Sequence, residues 1–339
     1  MEILLIISLA ISFFVSLFFT KKWVQKTQSL GLLWKDMNKP GQPKNVSSSG
    51  GVVVVISFVL GVLWYIAIRT FVFKNTDGIN SQIFSVLSVI LILGLVGLVD
   101  DLFEWKRGGL SRRVRILLAF VASVPLIVIS AGTHSMGLPF FGNVNFGILY
   151  PLILIPLGIA ATTTTYNFLA GFNGLEAGQG ILILSFLSYV SYVTGSSWLS
   201  VIGMCMVFSL AGFWFYNKYP SKVFPGDSMT WAVGALIAIM AILGNFEKIA
   251  VVVFIPYILE MVLKSRGKLE KQSFAKPNKD GSLEMPYKKV YGLTHFSIWF
   301  LKKFKKKVYE RDVVYFIHAI QIIFILIGFK KILFIFLSI

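Results

Sequence analysis

Two adjacent carboxylates stand at the end of an apolar run, in Gly97-Leu98-Val99-Asp100-Asp101. Neighbouring like charges oppose one another's ionisation unless a cation or water relieves them, and the C-terminal end of a helix opposes anions as well. One resolution is a pair that engages a divalent metal or takes a proton from a nucleophile; the other is a hydrated helix end balanced by the cations that follow it. A second polar stretch runs from Thr162-Thr163-Thr164-Thr165-Tyr166-Asn167 into Phe168-Leu169-Ala170-Gly171-Phe172-Asn173-Gly174-Leu175-Glu176-Ala177-Gly178-Gln179. Its asparagine carbonyls are hard oxygen donors suited to magnesium, and its glycines admit a ligand close to the backbone. The competing structural reading is a glycine-rich turn whose threonines bond back to their own helix. A third, Tyr219-Pro220-Ser221-Lys222-Val223-Phe224-Pro225-Gly226-Asp227-Ser228, is either a capped turn before an apolar run or a further carboxylate for the same site.

For these three stretches to act together, the elements between them must bring them to one surface. The chain has 339 residues, 56% hydrophobic and 14% charged, with a mean hydropathy of +0.78. That leaves too little polar surface to cover a soluble globule and implies an all-α polytopic membrane protein. Ten apolar stretches are long enough to cross a bilayer, at about 2–20, 51–72, 82–99, 114–131, 148–169, 179–195, 198–216, 229–244, 248–264 and 312–329. The first reads as a retained helix rather than a signal peptide, since it lacks a basic leader and a small-residue cleavage site.

With the N-terminus outside, the cytoplasmic segments become 21–50, 100–115, 170–178, 217–228 and 264–311, and these hold 27 of the 32 Lys and Arg residues. This is the asymmetry that positive-inside topology requires. The net charge of +17 is thereby explained mainly by topology, with attraction of anionic headgroups or an anionic substrate as a second use and no nucleic acid implied. All three polar stretches fall on the cytoplasmic face, where carboxylates and amides among Lys and Arg suit a metal-bound phosphate. Residues 264–311, between the last two spans, are the one cytoplasmic segment long enough for a small extramembrane module. It carries a turn at 277–281 and an expected interfacial amphipathic helix from Phe296 to Lys307. A single cysteine, Cys205, and three scattered histidines, His134, His295 and His318, offer neither a disulfide framework nor a metal cluster of their own.

In this order and on this side, the three loops resemble the polyprenyl-phosphate N-acetylhexosamine-1-phosphate transferases, and among them the archaeal and eukaryotic branch that forms dolichyl-linked N-acetylglucosamine. The most specific piece is Asn167 to Gln179, supported by Tyr219 to Asp227 and Gly97 to Asp101; lesser echoes are Asp36-Met37-Asn38-Lys39-Pro40 and Tyr309-Glu310-Arg311. The resemblance covers nearly the whole chain, treated as one integral membrane domain over 1–339, and implies ten helices. It also implies magnesium, with manganese as an alternative, held by Asn167 and Asp227. Asp100 and Asp101 would position or deprotonate the lipid phosphate, and Arg115 would meet phosphate. Asn38, Lys39, Gly171, Asn173, Gly174 and Glu176 would bind the nucleotide sugar, with Arg266 and Lys268 contributing from the 264–311 loop.

The same resemblance implies UDP-N-acetylglucosamine and a polyprenyl or dolichyl phosphate as substrates, UMP as the by-product, and a bilayer as the setting, with a homodimer left open. An archaeal plasma membrane follows from the match to the dolichyl branch, or an endoplasmic reticulum membrane for a eukaryotic host. The bacterial peptidoglycan branch carries a histidine-rich motif in its last large cytoplasmic loop, which 264–311 lacks; that argues against a muramyl-pentapeptide substrate. The eukaryotic branch places an Arg-and-His cluster there, where this chain has Lys264, Arg266, Lys268 and Lys271. Another sugar donor and, from a different class, a secondary transporter are the alternatives. Acids gathered at one surface and the absence of an internal repeat speak against the transporter.

Overall fold

Through most of the chain apolar residues occupy whole helical turns rather than one stripe, the pattern of helices that meet protein or lipid on every side. The computed structural model describes residues 3–75, 77–138 and 142–337. Its helices are α1 (Ile3–Ser29), α2 (Gly51–Ala67, prolonged by a π-helical turn Ile68–Val72), α3 (Ile79–Arg107), α4 (Arg112–Ala122) and α5 (Val124–Val128). There follow α6 (Ile155–Phe168, after a π-helical turn Tyr150–Leu154), α7 (Leu175–Val193), α8 (Ser197–Asn217), α9 (Gly226–Gly244), α10 (Glu247–Val253), α11 (Ile255–Arg266), α12 (Leu293–Leu301) and α13 (Glu310–Leu337). Three short antiparallel hairpins pair β1 (Leu33–Lys35) with β2 (Lys44–Ser47), β3 (Ser135–Leu138) with β4 (Gly142–Asn145), and β5 (Lys276–Pro277) with β6 (Leu283–Glu284).

Among the described residues six helices are long and apolar enough to cross a membrane: Leu4–Ser29, Gly51–Val72, Ile79–Glu104, Ser197–Asn217, Gly226–Gly244 and Glu310–Lys330. The remaining four expected spans are also helical but interrupted or polar at one end. The stretch 114–131 breaks at Ser123 ahead of Pro125, and 248–264 breaks at Phe254 ahead of Pro256, because proline removes a donor and crowds the preceding turn. The stretch 148–169 begins with a π-helical turn, and α7 opens on the polar pair Glu176 and Gln179.

The centre of the bundle is α9, whose span is 83% buried, the largest share of the six. It packs against α2, α3, α6, α7, α8 and α10. Small residues set the close crossings, as is usual where helices meet in an apolar medium: a Cβ on Gly234 would lie 2.8 Å from the Cα of Thr163 on α6. Residues from α1 through α13 join one contiguous buried cluster. By contrast, the spans of α1 and α13 are 28% and 33% buried and form the outer wall.

The five segments expected on one side do meet at one end of the bundle. Ser47 bridges Val223, and the main chain pairs further through Phe224 N to Ser47 O at 2.8 Å and Gly51 N to Pro225 O at 2.8 Å. Asn38 joins two more of them, donating to Gly171 O at 2.7 Å while accepting from Ala275 N at 3.0 Å. Two boundaries differ from expectation. α1 continues to Ser29 and carries Lys21, Lys22 and Lys26 on its last turns. The expected amphipathic helix from Phe296 to Lys307 is replaced by α12, which stops at Leu301. Phe296 and Phe300 are drawn onto Phe316 of α13, at ring separations of 6.5 and 5.2 Å, so the lysines that follow lie in turns.

Candidate active site

The Asp pair does not end its helix. α3 runs on to Arg107, so Asp100 and Asp101 sit within it, buried at 0% and 2% exposure. The hydrated helix end allowed by the sequence is thus replaced by a buried pair, and the reason is the contact made by α9. At Gly97 the two helices approach so closely that a Cβ would lie 2.5 Å from the carbonyl carbon of Asp227 and from Ser228 N. At Gly226 the room a side chain would fill is taken by the Asp101 carboxylate. Asp101 Oδ1 then accepts from Asp227 N at 2.8 Å. A carboxylate from α3 therefore caps the start of α9, satisfying one of its orphan N–H groups and meeting the positive end of its dipole. Asp101 Oδ2 is buried without a hydrogen-bond partner.

Asp100 organises the opposite wall. Its Oδ1 accepts from Leu110 N at 2.6 Å and from Arg115 Nη2 at 3.2 Å. Arg115 Nε lies 2.7 Å from Asp100 Oδ2 as an ion pair, while its N–H is directed to Leu110 O at 3.0 Å. The placement of Arg115 is supplied by α4, which starts at Arg112 behind a Ser111 cap.

Asp227 lies in the first turn of α9 with its side chain 15% exposed. Among the described residues its carboxylate accepts no hydrogen bond, and its one ion pair is with Arg115 Nη1 at 3.6 Å. Thr230, one turn on, donates to Asn167 Oδ1 at 3.1 Å and joins the last turn of α6 to the same place. Asp100 and Asp227 thus share one guanidinium, and Asp101 beside them has none. Uncompensated negative charge of this kind in a buried site calls for a cation.

Among the described residues no three His, Cys, Asp or Glu side chains are arranged to hold a metal by themselves. The available donors are the open Asp227 carboxylate, the unpartnered Asp101 Oδ2 and the Asn167 carbonyl. These are hard oxygens, and they fit a magnesium ion that keeps waters or takes substrate oxygens to complete its shell.

A second polar cluster lies where the 36–39, 173, 219–221 and 310 segments meet. Glu310 accepts from Asn173 N at 2.8 Å and Asn173 Nδ2 at 2.7 Å, and pairs with Lys39. Lys39 also lies 3.6 Å from Asp36 and 4.0 Å from the centre of the Tyr219 ring. Asn173 Oδ1 accepts from Ser221 N at 2.7 Å. Nearby, Glu176 Oε1 accepts from Gly171 N at 2.7 Å.

A scan against family profiles matches residues 83–245 to glycosyl transferase family 4, an interval that contains all three polar loops. Over 328 residues, 96% of this chain and 95% of the relative, the sequence is 34% identical to a Saccharolobus solfataricus protein provisionally named UDP-N-acetylglucosamine–dolichyl-phosphate N-acetylglucosaminephosphotransferase. The chain belongs to this family. A Dictyostelium discoideum protein of that same name is 30% identical over 276 residues, covering 70% of this chain and 65% of its own. A Sulfurimonas denitrificans phospho-N-acetylmuramoyl-pentapeptide-transferase is 26% identical over 282 residues, covering 74% and 77%. The resemblance drawn from the loop motifs is borne out at the level of the family.

Within this family member the residues singled out from sequence divide into three groups. Asp100, Asp101, Asp227, Asn167 and Arg115 converge as described, Arg115 included despite the Gly108-Gly109 turn between it and the Asp pair. Asn38, Lys39 and Asn173 gather in the neighbouring polar cluster, their side chains engaged in protein contacts that fix the loops, while Glu176 binds Gly171 N with one carboxylate oxygen and leaves the other buried and unpartnered. Gly171 (φ +105°) and Gly174 (φ +81°) shape that loop, with Phe274 packed where a Gly171 side chain would stand. Arg266, the last residue of α11, and Lys268, just past its end, are both exposed. Among the described residues no ion pair or hydrogen bond joins them to the carboxylates, although Arg112 Nη2 donates to Leu269 O at 2.8 Å and brings their segment beside α4. Of the four threonines, Thr162 bonds back to Gly158 O at 2.9 Å, as the structural reading expected.

Sequence reasoning passed over Asp36 and Glu310 as site residues, although both lie in motif echoes and are acids on the face shared by the loops. Their role needed the pairing with Lys39 and Asn173, which is 137 residues from each. Also unforeseen is His295, fully buried with neither ring nitrogen hydrogen-bonded. The main chain at Gln272 and Phe274 approaches the ring without completing a bond, and burial, with Lys264 nearby, pushes its pKa down to about 4.

Proposed function

We propose that this protein transfers N-acetylglucosamine 1-phosphate from UDP-N-acetylglucosamine to a dolichyl-type polyprenyl phosphate, releasing UMP. The observation that carries the reading is the Asp227 carboxylate, held open on the first turn of the central helix beside Arg115 and the Asp pair. The names of the relatives support the substrates. In this reading the whole chain is one integral membrane unit of ten crossings, some of them broken, with residues 264–311 covering the end that faces the cytoplasm. A plasma membrane is the expected site, and monomer against homodimer is a question for cross-linking.

Attack of one anionic phosphate on another is limited first by charge and alignment. Arg115, between Asp100 and Asp227, is the cation of this wall and would meet a phosphate oxygen. A phosphate monoester has its second pKa near about 6, so the acceptor is largely deprotonated at neutral pH and a strong base is dispensable. Asp100, clamped by Leu110 N and Arg115, orients the acceptor or removes its residual proton. Asp101, which caps α9, holds Asp227 in place. A bound magnesium or manganese ion, held by Asn167 and Asp227, supplies charge neutralisation for the diphosphate and its leaving nucleotide.

The acceptor's tail needs an apolar path. A cavity of about 230 Å³ between α6, α9, α10 and α11 has an almost wholly apolar lining, with Thr162, Ile237, Ala241, Phe254 and Ile258 among its walls. Phe254, where α10 gives way to α11 ahead of Pro256, is one of its walls. This cavity, walled in part by the broken 248–264 stretch, suits an isoprenoid chain.

The test is transfer of label from UDP-N-acetylglucosamine into dolichyl phosphate by purified protein, with magnesium or a chelator, beside UDP-N-acetylgalactosamine as a competing donor. Magnesium-dependent labelled lipid with one UMP per product is expected. Transfer only from the second donor would replace the sugar, and no transfer from any UDP-hexosamine to any polyprenyl phosphate would overturn the reading.

A further inference from the structure

A second cavity, of about 250 Å³, lies between the start of α7, the end of α8 and the first turns of α13, with mixed aromatic, apolar and basic walls. It is built by elements other than the α3, α4 and α9 ends that carry the Asp cluster. Two cations line it, Lys218 and Arg311, together with Trp214, Tyr219, Tyr315 and His318. No carboxylate is among its lining residues. Neither cation has an ion-pair partner among the described residues. Lys218 Nζ lies 5.3 Å from the Trp214 ring and Arg311 is 5.2 Å from the Tyr219 ring, so both heads are held by aromatic faces that leave their donors free. The neighbouring acid, Glu310, is turned away and engaged with Lys39 and Asn173.

The room itself is made by small residues. A Cβ on Gly178 would lie 2.5 Å from the His318 ring, so that glycine seats the histidine, and Gly174 opens α7 at the cavity. The N-terminal end of α7 adds partial positive charge to that of the two cations. Tyr315 is 63% exposed on α13, and Phe215 is 53% exposed on α8 beside Lys218. Tyrosine and phenylalanine at the ends of membrane helices, beside unpaired Lys and Arg, form the layer in which lipid headgroups lie.

We propose that this cavity is a binding site for the phosphate of an anionic membrane lipid, with Lys218 and Arg311 as its ligands and the exposed Phe215 and Tyr315 flanking the chains. The ligand chemistry is a phosphate ester, which a lipid or a soluble phosphate could present. Tyr315, an exposed wall of the cavity on α13, and Phe215, exposed on α8 beside Lys218, assign it to a lipid. This inference is independent of the transfer reaction, since its readout is retention of lipid.

The full-length protein, purified in detergent, is incubated with short-chain phosphatidylglycerol or phosphatidylcholine, and bound lipid is counted by native mass spectrometry. Wild type should retain phosphatidylglycerol at least tenfold more strongly than phosphatidylcholine. Lys218→Gln and Arg311→Gln should each weaken retention several-fold, and Lys218→Arg should keep it. The arginine variant and thermal unfolding separate a lost site from a lost fold. Equal retention of the two lipids, or retention unchanged in both Gln variants of intact fold, would overturn the proposal. Displacement of the lipid by millimolar inorganic phosphate would overturn its assignment to a lipid.

Discussion

The carboxylate cluster at α3, α4 and α9 and the knot around Glu310 share the same end of the bundle and similar residue types, yet their valences are filled differently. In the knot each polar atom has an answer: Glu310 serves Asn173 twice and Lys39 once, and Asn173 closes onto Ser221. In the cluster Asp101 Oδ2 is buried and unpartnered, and Asp227 makes only a 3.6 Å pair with Arg115. Satisfied networks rigidify and specify a structure, whereas unspent buried acceptors carry a free-energy cost that a ligand can repay. The knot holds four loops in place, and the cluster is what they are held around.

The strongest way to break this contrast is at Asp227. Asp227→Ala should lower labelled-lipid formation by about 100- to 1000-fold, the scale for removing one group that stabilises transition-state charge, while unfolding in detergent stays near wild type. A variant that unfolds early but retains turnover would exchange the roles of the two regions. Next, Glu310→Ala should cost about 3 kcal/mol of stability, because it leaves Lys39 and the Asn173 amide without their main partner in a buried setting. Thermal or denaturant unfolding reads this, and an unchanged midpoint would mean that the knot is ornamental.

Gly97→Ala probes how the cluster depends on the α3–α9 crossing. Overpacking at a 2.5 Å approach should cost about 2 kcal/mol and displace Asp227 relative to Asp101. Turnover, read as labelled-lipid formation, should fall about tenfold or more through misalignment, and wild-type turnover in a variant destabilised by this amount would separate the crossing from the site.

The smallest effect is one of pH, and it belongs to the 264–311 cover. His295 in the folded chain protonates only near about 4, against about 6.5 when unfolded. The unfolded chain therefore binds more protons between these values. Stability contributed by the neutral ring is complete above about 6.5 and declines as pH falls toward 4, by about 1 kcal/mol at pH 6. Hydrogen bonds from Lys307 and Lys302 hold Asp280 and Glu284 low, so these carboxylates add to the acid loss only below about 4. A His295→Phe variant should flatten the slope between pH 7.5 and 6, seen in unfolding midpoints. An identical slope in wild type and variant would remove His295 from the account.

The membrane class, the helical fold, the sharing of one face by five polar segments and the family were legible in the chain itself. Each rests on a local quantity: apolar run length, the placement of Lys and Arg, or motif residues a few positions apart. The end of α3 was not legible in the same way, because a buried Asp pair inside a helix is tolerable only when another chain segment supplies its donors. That supply comes from Asp227 N, Leu110 N and Arg115.

Likewise, Asn38, Lys39, Asn173 and Glu176 looked available for a ligand because residue type shows capacity for hydrogen bonding without showing what fills it. Sequence by itself determined which residues could do chemistry and on which surface they would gather. Tertiary structure alone decided which of them remain free to do it, since a carboxylate or amide is open or spent according to partners more than a hundred residues away.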